Sequence, residues 1–455
     1  MKWITRLFVT IGCVILPLAA LAQTPVLLRT FNNPAPEAGD FFGGGMGALG
    51  SDRVLIGAPN YIGNPTPPTN AAAVHLFHTN GTLLTTITKP PGVGGEFGSA
   101  ITTIGNDRIS IGSLYGTSVC LFTTNGALIK TITNSDSSAL GPAVAALGNN
   151  KLLVGAPQSN SDPDTYDVYG AAYLFSTNGT LLMTFNNPSP GKVSGLGYSV
   201  AAFGDDRVLI SASSEWSGSG AAYLFHTNGT LLMTFTNPAP SVYDYYGRSI
   251  AAVGTDRVLV GSPADGTHPE EVYLFNTNGT LLLTIPNPTP TADDWFGHRI
   301  AVLGNDRVVI GAPDDDTTGL SSGSAYVFSL NGTLLATINN PAPGVGDRFG
   351  LRLTAFGNNS VIIGAPQDNG VGSTYLFSIP ATVVAPSLTI RRTTTNTLEI
   401  SWPSPSTGFV LQQKANGLSS GSWSNVTDTI QDDGTTRKVV VNPSGGNRFY
   451  RLMRP

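Results

Sequence analysis

Most of the chain consists of short apolar runs that end at Gly, Pro or Asn. Runs of this kind, rich in β-branched and aromatic residues and bounded by turn residues, predict β-strands. Because Gly and Pro recur at short intervals, no long helix is expected. In one block, the four predicted strands, named A to D, are residues 198–203, 207–212, 221–226 and 230–235.

The connection between strands C and D carries the same dipeptide in several blocks. Asn228-Gly229 lies between two apolar runs, and this is a strong local signal for a β-hairpin. We expect a type I′ turn, which needs a positive φ at both residues. The equivalent asparagines are Asn80, Asn125, Asn178, Asn278 and Asn331.

The blocks are copies of one repeat. The tripeptide Gly57-Ala58-Pro59, at the end of a predicted strand B, is one of seven intact or degenerate copies along the chain. The copies are 43 to 56 residues apart. A period near 50 residues with four strands per unit is typical of β-propeller blades. The other copies begin at Gly112, Gly155, Ser211, Gly261, Gly311 and Gly364.

The strand count also predicts how the propeller closes. The first D-like strand, 26–31, precedes every A strand, whereas the last block ends with a C strand at 374–377. We therefore expect the N-terminal strand to complete the seventh blade, which removes an open sheet edge. The fold class is then all-β, a seven-bladed β-propeller closed by its N-terminal strand. A linear solenoid is the alternative, and it would leave that first strand unpaired.

A second motif suggests a family. Phe42-Gly43, Phe97-Gly98, Phe296-Gly297 and Phe349-Gly350 precede the Gly-Ala-Pro copies by about 14 residues. Over residues 26–378 the chain resembles the FG-GAP repeat proteins, which include the integrin α-subunit propellers, and it is closer to the bacterial type. The resemblance implies a propeller, and many members carry a calcium loop between strands A and B. Here that connection is too short to supply six to eight oxygen ligands, so those calcium sites are not expected.

Both ends of the chain differ from the repeats. Residues 1–22 have the basic start, apolar stretch and Ala20-Leu21-Ala22 site of a secretory signal peptide, and no other stretch is long and apolar enough to span a membrane. The propeller is predicted over 23–379 and a linker over 380–386. Residues 387–455, with Trp402 and Trp423, weakly resemble a fibronectin type III module and predict a small β-sandwich-like domain. That domain is either a docking stalk or a cap on the propeller.

Charge and cysteine content narrow the function. Residues 23–386 hold 14 basic and 25 acidic side chains, a balance that repels nucleic acid. Cys120 is the only cysteine after the signal peptide, so an intrachain disulfide is excluded. We expect a monomer that is secreted or located in the cell envelope, with an extracellular protein or glycan as its partner.

The candidate site lies on the face that carries the longer D–A and B–C connections, here called the long-loop face. Its aromatic residues, together with acids such as Asp244, Glu270 and Asp294, suit contact with a sugar or a basic protein patch. The alternative is that the rings pack between blades and the acids only solvate the loops. The predicted ligand-binding residues are Tyr166, Tyr169, Trp216, Tyr243, Tyr245 and Trp295.

Asp314, Asp315 and Asp316 are the candidate metal ligands, with Ca²⁺ as the ion, although consecutive side chains diverge. No cofactor is otherwise expected. No catalytic constellation is evident in the sequence, so a binding or adhesion protein is the first hypothesis. The alternatives are an extracellular carbohydrate-active hydrolase or lyase on the same scaffold, and a purely structural envelope protein.

Overall fold

The computed structural model divides into two compact units, one spanning 22–380 and the other containing residues from 381 onward. The predicted signal peptide, 1–22, lies outside the described residues. None of the helical turns within the described part of the chain could cross a membrane. The structure describes residues 24–60, 71–134, 140–159, 169–189, 195–213, 220–241, 243–264, 268–290, 293–380, 388–395, 397–404, 409–415, 423–442 and 448–453.

The larger unit is all-β in its described residues, apart from a 3₁₀ turn at Asp368–Gly370. Its strands form seven four-stranded antiparallel sheets in the described part of the chain, numbered here in chain order. The first strand, β1, is Val26–Asn32. Sheet 1 contains β2 (Gly45–Leu49), β3 (Arg53–Ala58), β4 (Ala73–His78) and β5 (Leu83–Thr88). Sheet 2 contains β6 (Glu96–Ile104), β7 (Arg108–Leu114), β8 (Ser118–Thr123) and β9 (Leu128–Thr133).

The following sheets repeat this order. Sheet 3 contains β10 (Val144–Leu147), β11 (Lys151–Ala156), β12 (Ala171–Ser176) and β13 (Leu181–Asn186). Sheet 4 contains β14 (Leu196–Phe203), β15 (Arg207–Ala212), β16 (Ala221–His226) and β17 (Leu231–Thr236). Sheet 5 contains β18 (Ile250–Val253), β19 (Arg257–Ser262), β20 (Glu271–Asn276) and β21 (Leu281–Pro286). Sheet 6 contains β22 (Arg299–Leu303), β23 (Arg307–Ala312), β24 (Ser324–Ser329) and β25 (Leu334–Asn339).

Sheet 7 is completed by the start of the chain, as the sequence predicts. Its strands β26 (Arg352–Phe356), β27 (Ser360–Ala365) and β28 (Ser373–Ser378) are consecutive, and β1 pairs antiparallel with β28. Phe31 of β1 is buried, and its ring lies 5.3 Å from that of Phe77 in sheet 1. The N-terminal strand therefore belongs to sheet 7 and also packs against the neighbouring sheet.

The seven sheets form a closed circuit. The first strand of each sheet contacts the first strand of the next, from β2 through β6, β10, β14, β18, β22 and β26 and back to β2. A cavity of about 290 Å³ is lined by residues at the start of all seven of these strands. This cavity is called the central channel below. The apolar core lies between consecutive sheets, in clusters that each combine residues of two neighbours.

The repeated glycines explain how closely the sheets approach each other. A Cβ added to Gly155 would lie 2.0 Å from the carbonyl oxygen of Gly197 in the next sheet. The same approach closes the ring, since a Cβ on Gly364 of sheet 7 would lie 2.6 Å from the Gly43 carbonyl before sheet 1. In these sheets the two motif glycines thus pack backbone against backbone, and a Cβ on Gly155 or Gly364 would clash with the carbonyl oxygen that it faces.

The hairpins between the third and fourth strands differ from the prediction. Gly81 has a φ of 95°, but Asn80 does not have a positive φ, so the turn is not type I′. The Gly81 N–H donates to the His78 carbonyl, and the register shifts by one residue between Leu76 and Phe77. These features define a type I turn followed by a glycine bulge. Asn80 Oδ1 also accepts a hydrogen bond from the Thr82 N–H, which favours this turn.

The smaller unit contains two antiparallel sheets in its described residues. One pairs in the order β29, β30, β34, β33 and the other in the order β32, β31, β35. Ile400 and Trp402 of the first sheet and Leu411 and Leu452 of the second share one buried cluster. Pro380, predicted to begin the linker, instead accepts a hydrogen bond from Arg307 and belongs to the larger unit. The strands are β29 (Thr389–Arg392), β30 (Leu398–Pro403), β31 (Val410–Ala415), β32 (Ser424–Asn425), β33 (Gln431–Asp432), β34 (Thr436–Val441) and β35 (Arg448–Met453).

Candidate binding site at the mouth of the central channel

Four of the loops that enter a first strand on the long-loop face contain a hydrogen bond between an asparagine and an aspartate seven residues later, here called a loop lock. Asn237 Nδ2 donates to Asp244 Oδ2 over 2.9 Å, and Asn287 Nδ2 donates to Asp294 Oδ2 over 2.8 Å. All four side chains are buried. Asp244 and Asp294 are therefore structural parts of the loops, whereas the sequence suggested that they face a ligand. Equivalent pairs are Asn33–Asp40 and Asn340–Asp347.

The residue after each of these aspartates adopts a left-handed backbone conformation. Phe41, Tyr245, Trp295 and Arg348 have φ values between 50° and 59°. Such a φ is uncommon for a bulky residue and is maintained only where the surrounding structure imposes it. Here the carbonyl of each residue accepts a hydrogen bond from the N–H three residues later, at the start of the first strand. Each of these four loops thus presents one large side chain shortly before its first strand.

The Trp295 loop is held by an additional buried carboxyl group. Glu270 Oε1 accepts a hydrogen bond from the Trp295 N–H over 2.7 Å, and Oε2 accepts one from the Phe296 N–H over 3.0 Å. Asn287 Nδ2 also donates to Oε2. Burial raises the pKa of Glu270 to about 7, and the neighbouring Asp294 charge adds to this shift, against the hydrogen bonds that lower it. Glu270 therefore positions the Trp295 backbone and does not face a ligand.

Aromatic rings and an arginine meet beside the channel. The rings of Tyr245 and Trp295 stack, with centroids 5.7 Å apart and planes at 28°. The Arg248 guanidinium carbon lies 4.8 Å from the ring centroid of Tyr198 and 5.4 Å from that of Trp295. His298 packs against Trp295 at 5.6 Å. These five residues from sheets 4, 5 and 6 are called the aromatic–arginine cluster.

The cluster continues into the channel through two further arginines. Arg299 and Arg352 line the cavity, together with Tyr198 and other residues at the start of the first strands. Burial lowers the pKa of Arg299 to about 9 and that of Arg352 to about 10, and nearby arginine charges lower both further. Both guanidinium groups stay protonated at neutral pH. His298 is neutral there, because burial and the charges of Arg248, Arg299 and Arg352 lower its pKa well below the usual value.

Only part of the predicted ligand-binding set lies in this cluster. Tyr245 and Trp295 are brought together, and Tyr243 is 41% exposed nearby with a φ of 66°. Tyr169 is half-buried, and its carbonyl accepts a hydrogen bond from the Leu196 N–H. Tyr166 and Trp216 lie outside the described residues.

The three candidate metal ligands have different partners. Asp314 Oδ1 accepts a hydrogen bond from Arg348 Nε over 2.9 Å, and buried Asp315 accepts hydrogen bonds from the Tyr326 hydroxyl and the Thr317 N–H. Asp316 Oδ1 accepts one from the Ser321 N–H. Across the described ranges, no three His, Cys, Asp or Glu side chains form a group suited to a metal ion. The Ca²⁺ site at Asp314–Asp316 stays a prediction, and the arrangement of these residues gives it no support.

A second cavity, of about 410 Å³, lies beside sheet 5. Ser241 Oγ and His268 Nε2 are 2.6 Å apart in its wall. Asp244, Glu271 and Tyr273 also line this cavity, and the Tyr273 hydroxyl donates to Glu271. No sequence motif predicts this Ser–His contact, because the two residues lie on different loops.

Comparisons with known proteins support the fold. The FG-GAP repeat family matches residues 290–328, which contain Phe296-Gly297 and Gly311-Ala312-Pro313. Among solved structures, U3-55K is 12% identical with a TM-score of 0.53, over 77% of this chain and 98% of that one. The RRP9 WD40 repeats are 12% identical with a TM-score of 0.56, over 79% of this chain and 99% of that one. No protein with a curated description matches the chain.

WD40 repeats form β-propellers of four-stranded blades. The chain has the fold of a β-propeller. At 12% identity these similarities show the fold alone, so the function has to be argued from the site. The propeller places the aromatic–arginine cluster where the long loops meet the channel, which is a common location for binding sites on rigid β scaffolds.

The predictions from sequence did not include the channel arginines or the Asn–Asp loop locks, although both follow recurring motifs. Arg248, His298 and Arg352 follow the Phe-Gly or Tyr-Gly motif by one or two residues, and aligning the repeats on that motif would have placed them at the channel. The recurring Asn-Pro-x-Pro with an aspartate seven residues after the asparagine was also visible, as in Asn237 and Asp244. The Glu270 contact had no such signal, since it joins two loops.

Proposed function

We propose that this chain is a secreted or cell-surface binding protein that contacts an extracellular glycan through the aromatic–arginine cluster. In this proposal it is a seven-bladed FG-GAP propeller of the bacterial type, and a fibronectin type III-like C-terminal module attaches or spaces it. An extracellular protein ligand is the alternative on the same face. The observation that carries the proposal is the Tyr245–Trp295 stack with Arg248 against it.

The chemistry of the cluster suits a sugar. Aromatic rings offer an apolar face, while the arginine and tyrosine groups beside them offer hydrogen bonds that orient a polar ligand. Tyr245 and Trp295 have an uncommon backbone conformation. The Asn237–Asp244 hydrogen bond holds the loop of Tyr245, and the Glu270 carboxyl group holds the Trp295 N–H. A rigid site loses little conformational entropy when it binds.

To test this proposal, the protein lacking residues 1–22 is screened for binding to arrays of glycans and of extracellular proteins, with and without Ca²⁺. Hits are then measured with Tyr245→Gly and Trp295→Gly. Glycine is the appropriate replacement because it tolerates the positive φ, and because Gly195 occupies the equivalent position before sheet 4 with a φ of 51°. We expect each substitution to weaken glycan binding by at least tenfold.

Tyr115→Gly is the matched control, since Tyr115 is an exposed residue with a φ of 58° on the same face but in the loop after β7. It should leave binding unchanged. If Trp295→Gly and Tyr115→Gly behave alike, the cluster is not the ligand site. If the chain binds only to proteins on the arrays, its ligand is an extracellular protein and not a glycan.

A hydrolase is the second candidate function, and the Ser241–His268 contact favours it. A serine hydroxyl within hydrogen-bond distance of an imidazole is the arrangement in which histidine accepts the serine proton during nucleophilic attack. Asp244 and Glu271 also line this cavity. Turnover of chromogenic esters or glycosides that is lost in Ser241→Ala but kept in Ser189→Ala, a loop serine next to sheet 4, would support this function.

A further inference from the structure

One sheet of the smaller unit carries basic side chains and no acidic ones. Its strands β31, β32 and β35 contain Lys414, Arg448 and Arg451 as their charged residues. Residues 387–455 hold eight basic and four acidic side chains in total, so the net positive charge of this unit lies mainly on that sheet. The four acidic residues lie in β30 or between β32 and β34: Glu399, Asp428, Asp432 and Asp433.

Arg451 points away from the apolar core of the unit. Gln412 and Arg451 are opposite each other on β31 and β35, and the adjacent pair, Leu411 and Leu452, is buried in the core. Because successive side chains of a strand point to opposite faces, Gln412 and Arg451 share the outer face of the sheet. Arg451 Nε and Nη2 both donate to Gln412 Oε1, over 3.0 and 2.9 Å.

An indole ring and a second amide complete this surface. The Arg451 guanidinium carbon lies 4.3 Å from the ring centroid of Trp423, which is a cation–π contact. Gln412 Nε2 donates to Asn425 Oδ1 over 3.1 Å. Arg451 and Trp423 are half-buried, and Asn425 is exposed. Gln412, Trp423, Asn425 and Arg451 are called the Trp423–Arg451 face below.

This face keeps hydrogen-bond donors for a ligand. A guanidinium group has five N–H donors, and Arg451 uses those on Nε and Nη2 with Gln412 and with Met453 Sδ. Its Nη1 donates to none of the residues that the structure describes. Among the same residues, no carboxylate lies within ion-pair distance of Arg451. Arg451 is therefore fixed in position with its charge and one NH₂ group available.

We propose that the Trp423–Arg451 face binds an acidic polysaccharide, with a carboxylate or sulfate group of the polymer accepting hydrogen bonds from Arg451 Nη1. Charge complementarity supports an acidic partner, because the sheet has basic charges only. Arginine binds such oxygens by charge-assisted hydrogen bonds.

The groups beside Arg451 favour a sugar polymer over an acidic protein or a membrane. Asn425 Nδ2 and the Gln412 amide suit the hydroxyl groups of a sugar, and the Trp423 ring offers it an apolar surface. The site extends the attachment role proposed for this unit, but it does not depend on glycan binding by the propeller.

The probes are alginate, which carries carboxylates, and dextran sulfate, with neutral dextran as the control polymer. Each is titrated at constant ionic strength into the protein lacking residues 1–22, and binding is followed by calorimetry. We expect saturable binding of at least one acidic polymer and none of dextran. Arg451→Gln should raise the Kd by about tenfold or more, and Arg451→Lys, which keeps the charge but not the planar group, should raise it less.

Arg391→Gln is the matched control, because it removes an exposed arginine of the same unit from the other sheet, where Arg391 lies opposite Glu399. It should leave the Kd within twofold of the wild-type value. Equal Kd values for Arg451→Gln and Arg391→Gln would overturn the site, since they would show attraction to the overall charge alone.

The wild-type protein provides a test that does not require any variant to fold. The absence of saturable binding to both acidic polymers, or equal binding to dextran, would overturn the proposal. Tighter binding to poly-glutamate or to phosphatidylglycerol vesicles than to either acidic polymer would replace the polysaccharide with a protein or a membrane, and so would also overturn it.

Trp295→Gly separates this site from the aromatic–arginine cluster. Binding of the acidic polymer that persists in Trp295→Gly and is lost in Arg451→Gln supports the Trp423–Arg451 face. The opposite result assigns the polymer to the propeller and overturns the site proposed here. Loss of glycan binding at the cluster therefore leaves this proposal standing, and the reverse also holds.

Discussion

Arg352 Nε donates a hydrogen bond to the carbonyl oxygen of Gly44, although 308 residues separate the two in sequence. The bond joins sheet 7 to sheet 1. The pairing of β1 with β28 and the close approach of Gly364 to Gly43 join the same two ends. The closure of the ring is therefore made by a strand pair, a side chain and a backbone contact together.

The strand that closes the ring should contribute as much stability as its counterparts in other sheets. Phe31 is 2% exposed and packs against Phe77, while Phe185 is 1% exposed at the equivalent position of sheet 3. We expect Phe31→Ala and Phe185→Ala each to reduce the free energy of unfolding by about 3–5 kcal/mol, measured by urea denaturation. A large loss for Phe185→Ala with none for Phe31→Ala would show that β1 does not occupy sheet 7.

The close approach of the motif glycines predicts a strong effect of one methyl group. Gly155→Ala would place its Cβ 2.0 Å from the Gly197 carbonyl oxygen. The Cβ and the oxygen are both attached directly to the backbone, so no side-chain rotation can relieve the clash. We expect a loss of about 3 kcal/mol in the free energy of unfolding. Gly94→Ala is the control, since no atom lies within 4 Å of its added Cβ. It should leave stability unchanged or raise it by up to about 1 kcal/mol.

The contribution of an Asn–Asp loop lock to stability can be measured by comparing alanine substitutions of two asparagines. Asn237→Ala removes the amide that donates to the buried Asp244 carboxylate, so we expect a loss of about 1–3 kcal/mol. Asn187 Oδ1 accepts a hydrogen bond from the Ser189 N–H, as Asn237 Oδ1 does from the Ala239 N–H, but Ser194 stands where the aspartate would be. Asn187→Ala should therefore cost less. Equal losses in denaturant unfolding would mean that the Asn–Asp bond adds nothing to the turn.

Glu270 predicts a dependence of stability on pH. Its pKa rises on folding from 4.5 to about 7, so between these values the folded state holds a proton that the unfolded state has lost. Stability should then fall as pH rises through this window, by about 3 kcal/mol at most, since one pKa unit corresponds to about 1.4 kcal/mol.

Glu270→Gln is neutral at every pH and keeps an acceptor for the Trp295 N–H. The difference in unfolding free energy between pH 5 and pH 8 should therefore be smaller in Glu270→Gln than in the wild-type protein. Asp314 and Asp347 also have raised pKa values, so some pH dependence will remain in the variant. Identical pH profiles for the two proteins would exclude Glu270 as a source of the effect.

The repeat pattern was sufficient for much of the fold. The strands of sheet 4 were placed within two residues, and the pairing of β1 with β28 followed from counting strands. The Asn80-Gly81 dipeptide predicts the position of the turn correctly but its type wrongly, because the dipeptide fits two kinds of hairpin and the choice depends on the neighbouring register.

The site was less accessible to prediction for a physical reason. Which aromatic side chains meet across neighbouring sheets depends on how the sheets are arranged around the propeller. Tyr245 and Trp295 meet because their loops repeat the same backbone conformation. The sequence predicts Asp244 and Asp294 as surface groups, since composition does not reveal that each is buried against an asparagine.

The position of β1 has a consequence for biosynthesis. This strand leaves the ribosome before the other strands described, yet its partner strand is not complete until Ser378 has emerged. Throughout that interval one edge of β1 stays open to unwanted pairing, and contacts that span such a long stretch of chain form slowly. A premature stop codon before β28 would shorten the protein and also leave β1 without its partner strand. A mutation near the 3′ end of the coding sequence would therefore disrupt the structure of the N-terminal residues.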